Sequence, residues 1–295
     1  MPRLSVIVPF RGNDSALETT VLSVLENRTQ DTEVLVVHDG SYSDPYDLAE
    51  EVVLVEARPA ETVIGLLNEG IMAACSPVVN IVLDGVVVSE GWQRAALEEL
   101  ASDEELAAVA VVQRVAGSKQ FGISEFALDD VASLRSEAGV LKEAGQACAG
   151  PQLACGFYRK STLLALDGLR YQTIEAAQLE YAFALAELDL STHCDMLTTV
   201  DRSGAVRSDS KEVLSEIAQV AVDYEVTSGG FVASIFHLLS GLPSGLSKAR
   251  SWSRGIAQGQ LDLQRRRIEA ARLALEERRE RSSASEGAAP IRKAA

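Results

Sequence analysis

Apolar residues fall in short, nearly unbroken runs through the first 115 positions, separated by amphipathic stretches. The runs LSVIVPF (4–10), EVLVVHD (33–39), EVVLVEA (51–57), VVNIVLD (78–84) and AAVAVVQRV (107–115) are rich in Val and Ile. β-Branched residues suit strands, and near-continuous apolar character is what a parallel sheet covered on both faces requires. Between them, DSALETTVLSVLEN (14–27) puts Leu17, Val21, Val24 and Leu25 on one helical face, with Asp14 or Ser15 available as cap. TVIGLLNEGIMAAC (62–75) and EGWQRAALEELA (90–101) repeat that pattern. The alternation predicts an α/β architecture, a mostly parallel central sheet flanked by helices.

Five glycines punctuate 116–150, and a second unit follows. PQLACGFYRKSTLLALDGLRY (151–171) predicts a strand, a short helix from near Ser161 and a stop at Gly168. IEAAQLEYAFALAELDL (174–190) is a helix with Leu179, Phe183, Ala186 and Leu190 on one face, and STHCDMLTTVD (191–201) is a returning strand. KEVLSEIAQVAVDY (211–224) is another amphipathic helix. GGFVASIFHLLSGL (229–242), with His237 as a packed histidine, is apolar but too short to span a bilayer. From Ser247 a charged helix spaces Leu261, Ile268 and Leu275 seven residues apart, a stripe suited to docking or self-association. The expected layout is an α/β domain over 1–205 (halves 1–115 and 150–205), a helical extension over 206–246, a charged helix over 247–282 and a disordered tail over 283–295.

Composition sharpens this. At 295 residues and 47% hydrophobic content the chain can build a large core. Net charge is −16, unevenly spread: residues 1–247 hold 15 Lys+Arg against 37 Asp+Glu, and residues 248–295 hold 12 against 6. An acidic body repels phosphate backbones, so no nucleic-acid partner is expected. A short apolar helix followed by a basic one makes 229–281 a candidate for membrane-surface contact or self-association. The four cysteines form no C-x-x-C pair, and Cys75 and Cys155 sit in apolar sequence and read as buried. The chain runs straight into a strand with no signal-like segment, so the expected compartment is the cytoplasm, with a peripheral place at the inner membrane face as the alternative.

In open α/β sheets, ligands bind beyond the carboxyl ends of the strands. That places His38, Asp39 and Gly40 at one strand end and Asp84 and Gly85 at another, facing one crevice. Taken alone, Asp39-Gly40-Ser41 also fits an ordinary turn.

The order of these pieces resembles the family 2 glycosyltransferases, whose nucleotide-binding fold is of the GT-A type. LSVIVPFRG is similar to that family's opening strand, which ends Pro-x-Tyr-Asn, and TVLSVLEN to its first helix. EVLVVHDGSYSD resembles its Val-Asp-Asp-Gly-Ser strand end, and LLNEGIMAACSPVVNIVLDG its Arg-Asn-x-Gly helix and metal-site strand. GFYRKSTLLALDGL resembles the acceptor-side segment. The resemblance spans roughly residues 3–195 and implies a nucleotide-sugar donor, a glycan or other hydroxyl acceptor, and Mn²⁺ or Mg²⁺. It places Pro9, Phe10, His38, Asp39 and Asn68 on the nucleotide, with His38 replacing one acidic residue and Leu67 standing where Arg is usual.

The reacting positions depart from the pattern. The family's Asp-x-Asp falls at Asp84 and Val86 in one register, and at Leu83 and Gly85 around Asp84 in the other. Either way one carboxylate stands where two are expected; diphosphate and water would supply the remaining metal ligands. His193 is a second candidate ligand, since some relatives use a histidine after the acceptor helix. The Glu-Asp pair of inverting members, whose Asp is the general base, falls at Ala177-Gln178. Gln cannot take a proton, which leaves Glu180, about 200° round the helix, or Glu175. Two readings stand: a glycosyltransferase with a reduced site, or a catalytically inactive binding or scaffold protein of the same fold in glycan assembly.

Overall fold

The computed structural model describes residues 2–45, 47–58, 62–125, 140–141, 147–203, 211–224 and 246–287, with the side chains of the last segment described from 261 to 283. His237 and the apolar stretch 229–242 lie outside the described residues, as do residues 288–295.

The chain begins with β1 (Leu4–Pro9), α1 (Asp14–Asn27), β2 (Thr32–His38), β3 (Val53–Glu56), α2 (Val63–Ala73) and β4 (Val78–Val82). It continues through β5 (Val86–Val87), α3 (Arg94–Ser102), β6 (Leu106–Val115), β7 (Ser118–Gln120), β8 (Ile123–Ser124), β9 (Cys148–Gly150) and β10 (Cys155–Arg159). Then come α4 (Lys160–Ala165), α5 (Ile174–Glu187), β11 (Ser191–Arg202), α6 (Lys211–Asp223) and α7 (Leu246–Gly287).

Among the described residues the sheet has nine strands in the order β3-β2-β1-β4-β10-β6-β11-β5, with β7 beside β6. β1, β2, β3 and β4 are mutually parallel, and β6 and β11 share their direction. β10 is inserted antiparallel between β4 and β6. The expected mixed α/β fold with a mostly parallel sheet is the one observed.

Strand alternation sorts the core into two layers. Ile7, Leu35 and Val37 face one side with α2, α4, α5 and the last helix. Val6, Val8, Val34 and Val36 face the other with α1, α3 and Trp92. This is the period-two rule acting on runs that are apolar throughout. Gly70 lets α2 lie close on β1: a Cβ there would stand 2.6 Å from Ile7 Cγ2.

Local chemistry explains three departures from expectation. Asn13, rather than Asp14 or Ser15, caps α1, accepting from Ala16 N at 3.1 Å. α3 starts at Arg94 rather than Glu90, because Gly91 adopts a positive φ of 76° and Trp92 turns into the core, its Nε1 donating to Asn80 Oδ1 at 3.1 Å. Cys75 is exposed rather than buried, since it sits in the turn between α2 and β4, whereas Cys155 is fully buried.

α7 passes the expected boundary at residue 283 and docks on the body of its own chain. Ile268 and Ala271 are buried in the first core layer and Leu275 packs against it. Of the stripe that suggested docking or self-association, Ile268 and Leu275 are thus engaged within the chain. No described helix is long and apolar enough to cross a membrane.

Candidate active site

β1, β2, β4, β6 and β11 end on one edge, so the segments after Pro9, His38, Val82 and Arg202 gather there. On the β1–β2 side, Phe10 is fixed by its N–H donating to Val37 O at 2.8 Å. Its ring lies 5.0 Å from that of Tyr42, and the His38 ring lies 5.9 Å from Tyr42. His38 Nδ1 accepts from Gly40 N at 3.1 Å, which leaves Nε2 as the protonated nitrogen of a neutral ring. Asp39 accepts from the Ser41 N–H at 3.2 Å and from its hydroxyl. Pro9, Phe10, His38 and Asp39 thus lie together at these strand ends, with Tyr42 as an aromatic member that the motifs did not single out.

Asn68 is engaged elsewhere. Its amide donates to Leu169 O at 2.9 Å and accepts from Leu169 N at 2.8 Å. Both ends tie α2 to the loop after α4, which corrects the expectation that this residue serves the nucleotide.

Asp84 follows β4 and is held by its neighbour. Gly85 adopts a positive φ of 85°; its N–H donates to Thr20 Oγ1 of α1 at 2.9 Å. Its carbonyl accepts from Ser203 N at 2.9 Å and Ser203 Oγ at 3.0 Å, just past β11. A Cβ on Gly85 would meet Ser203 Oγ at 2.9 Å. The glycine therefore lets the β4 end, α1 and the β11 end close together around Asp84.

The Asp84 side chain is only 6% exposed and its Oδ1 is ion-paired with Arg11 Nε. A second guanidinium, Arg202, is the register partner of Val86. Burial above all, and then Arg11, push its pKa down, while Glu175 and Asp84 push it up. Four charged groups, Arg11, Arg202, Asp84 and Glu175, thus share one electrostatic neighbourhood.

These residues do not fit a divalent cation. Such a cation wants several hard oxygen ligands, and Asp84 offers one carboxylate already paired with a cation. Its neighbours Gly85 and Val86 carry no oxygen on their side chains. Among the described residues no three His, Cys, Asp or Glu side chains cluster as a metal site. His193 lies toward the opposite edge, opposite Val109 on β6 where Arg202 is opposite Val115. Strand rise puts those two levels about 20 Å apart. His193 Nδ1 instead pairs with Glu99 at 2.6 Å, so it does not join Asp84.

α5 carries the two candidate bases, and the amide at the family's base position, to three different fates. Glu175, in the first turn, is half-buried, and its charge reaches Arg202 and raises that residue's pKa. Gln178, one turn on, is buried, and its Oε1 accepts from Leu153 N at 3.3 Å. Glu180 turns the other way. Its side chain is 1% exposed and ion-paired with Arg267 of α7, and Oε1 also accepts from Tyr224 OH at 2.8 Å. It is a structural anchor, which corrects its candidacy as base; the helix period had separated it from Gln178.

Arg11 and Arg202 escaped the motif reading. Counting from Pro9, Arg11 stands at the tyrosine of the Pro-x-Tyr-Asn pattern, and a cation in that place was the available signal. Arg202 had none, because it reaches the site through strand pairing from the far half of the chain.

The model for glycosyl transferase family 2 matches residues 5–159, which run from β1 through β10 and include the Arg11–Asp84 pair. Among solved structures, the crystal structure of GalNAc-T7 with UDP, GalNAc and Mn²⁺ is similar at a TM-score of 0.58 and 12% identity. That likeness covers 86% of this chain and 54% of the other, so the chain spans about half the length of that protein; at such identity it speaks for the fold. A comparison with curated proteins found no match. With more than half of its length matched by the family model, the chain belongs to glycosyl transferase family 2.

Proposed function

We propose that this protein transfers a sugar from a nucleoside-diphosphate donor to an acceptor hydroxyl, with Glu175 as the general base. Glycosyl transfer is the activity that the family and the fold support. The observation that carries the rest is the Arg11–Asp84 pair with Arg202 at the same sheet edge as the Phe10–His38–Tyr42 aromatic group, Glu175 lying within electrostatic reach of Arg202.

The base would rest against Phe10 and Tyr42, with Asp39 accepting from a base N–H and His38 Nε2 donating. The diphosphate would then extend toward Asp84 and its arginines. In the transfer step the acceptor oxygen forms a bond to the anomeric carbon, and the bond from that carbon to the diphosphate oxygen breaks. The diphosphate leaves with the electron pair, and the hydroxyl proton goes to the Glu175 carboxylate. UDP and GalNAc in the GalNAc-T7 structure are a precedent for such a donor on this fold.

A second reading is favoured by Gln178, an amide at the family's base position that is already bonded to Leu153 N. On that reading the chain binds a nucleotide sugar without turning it over. Chromatographic measurement of nucleoside diphosphate released from a panel of donors, with simple sugars as acceptors, separates the two. Wild-type protein should release nucleotide, and Glu175→Gln should lose about 100-fold or more in turnover with donor affinity kept. Binding without release in the wild type would select the second reading, and unchanged turnover in Glu175→Gln would remove the residue from its role.

A further inference from the structure

We infer that the Arg11 and Arg202 guanidinium groups stand in for the divalent cation at this site, so that the diphosphate is recognised without metal. The inference rests on the nucleoside-diphosphate reading above and adds how the leaving group is held.

The geometry has three parts. The lone carboxylate of the expected metal pair, Asp84, is ion-paired with Arg11, so a positive charge already occupies the place beside it. Arg202 is brought to the same turn by its pairing with Val86 and by the bonds from Ser203 to the Gly85 carbonyl. Arg11 is part-exposed, at 39% of its side chain, and so remains accessible to an incoming anion, whereas Asp84 is nearly covered. The electrostatics agree: Arg202 is destabilised by burial and by Arg11, the condition in which two like charges gain from an anion placed between them.

A divalent cation on a diphosphate neutralises charge as the sugar–oxygen bond breaks. Guanidinium groups perform the same neutralisation through charge-assisted, bidentate bonds to phosphate oxygens. They need no carboxylate cage, which accounts for the loss of the second acidic residue at Val86 or Gly85. Asp84 then has a changed task. Rather than a metal ligand, it is the counter-ion that neutralises Arg11 until the diphosphate arrives and takes its place.

The two arrangements predict opposite responses from Asp84. As a metal ligand, its replacement weakens nucleotide binding. As a partner that competes with phosphate for Arg11, its replacement leaves binding intact or tightens it.

The experiment is calorimetric titration of the full chain with UDP, GDP and dTDP, in EDTA and in Mn²⁺, for wild type, Arg11→Gln and Asp84→Asn. Circular dichroism melts would confirm that each variant is folded. The expected result is that one nucleotide binds equally well in EDTA and in Mn²⁺. Arg11→Gln should weaken it about 10- to 100-fold, the loss of a charged hydrogen bond. Asp84→Asn should bind at least as tightly as wild type in EDTA. Binding that appears only with Mn²⁺ and disappears in Asp84→Asn overturns the substitution but leaves the donor reading standing. Binding of none of the three under either condition overturns both.

Discussion

Replacing Arg267 by alanine should unfasten the last helix. Arg267 makes an ion pair with Glu180, and its Nε and Nη2 donate to Leu166 O at 2.7 Å and Gly168 O at 3.3 Å. Glu180 is 1% exposed, and among the described residues its Oε2 has no hydrogen-bond partner, so the carboxylate depends on this guanidinium. Removing one member of such a buried pair leaves an uncompensated charge and costs about 3–5 kcal/mol. For a chain of this size that corresponds to a fall in melting temperature of roughly 5–8 °C. Circular dichroism at 222 nm would read the melt, and trypsin would report whether the arginine-rich α7 is cut sooner. The double variant Glu180→Leu with Arg267→Met should recover most of the loss, because it removes both charges and keeps apolar volume. A melting temperature within 2 °C of wild type, with unchanged cleavage, would refute the anchoring role. So would a double variant as unstable as the single one.

Two further outcomes follow from neighbouring geometry. Thr20→Val removes the hydroxyl that accepts the Gly85 N–H and should cost about 1–3 kcal/mol by urea denaturation, with weaker nucleotide binding because the Asp84 turn loosens. In the native protein only Cys75 should react rapidly with a thiol reagent. Cys155 and Cys148 are buried, and desolvation pushes their thiols up to about 12 and about 11, so they should react only on unfolding.

Much of the architecture is legible in the chain because it is written in local patterns. Val- and Ile-rich runs bounded by turn residues locate β1, β2, β4 and β6 within a few positions, and the strand ends locate Phe10, His38, Asp39 and Asp84. What stays illegible is set by pairing across distance. Nothing near Cys155–Arg159 says that β10 runs against its neighbours. Glu180 reads as a solvated helix charge until Arg267, far along the chain, arrives to neutralise it. Leu261, Ile268 and Leu275 have the spacing of a self-associating seam, and the pattern cannot say that the surface met by Ile268 and Leu275 belongs to the same chain. The arginines are the sharpest instance. A motif reading registers the missing second Asp, but only the fold shows that Arg11 and Arg202 come to the site where it is missing.

The measurement that tests the central claim most directly is amide hydrogen exchange, read by mass spectrometry, with and without a saturating nucleoside diphosphate. If the sheet edge is the donor site, exchange should slow in peptides covering residues 9–12, 38–42, 83–86 and 202–203. Protection confined to α7 or to the opposite edge near His193, or no protection at all, would contradict it.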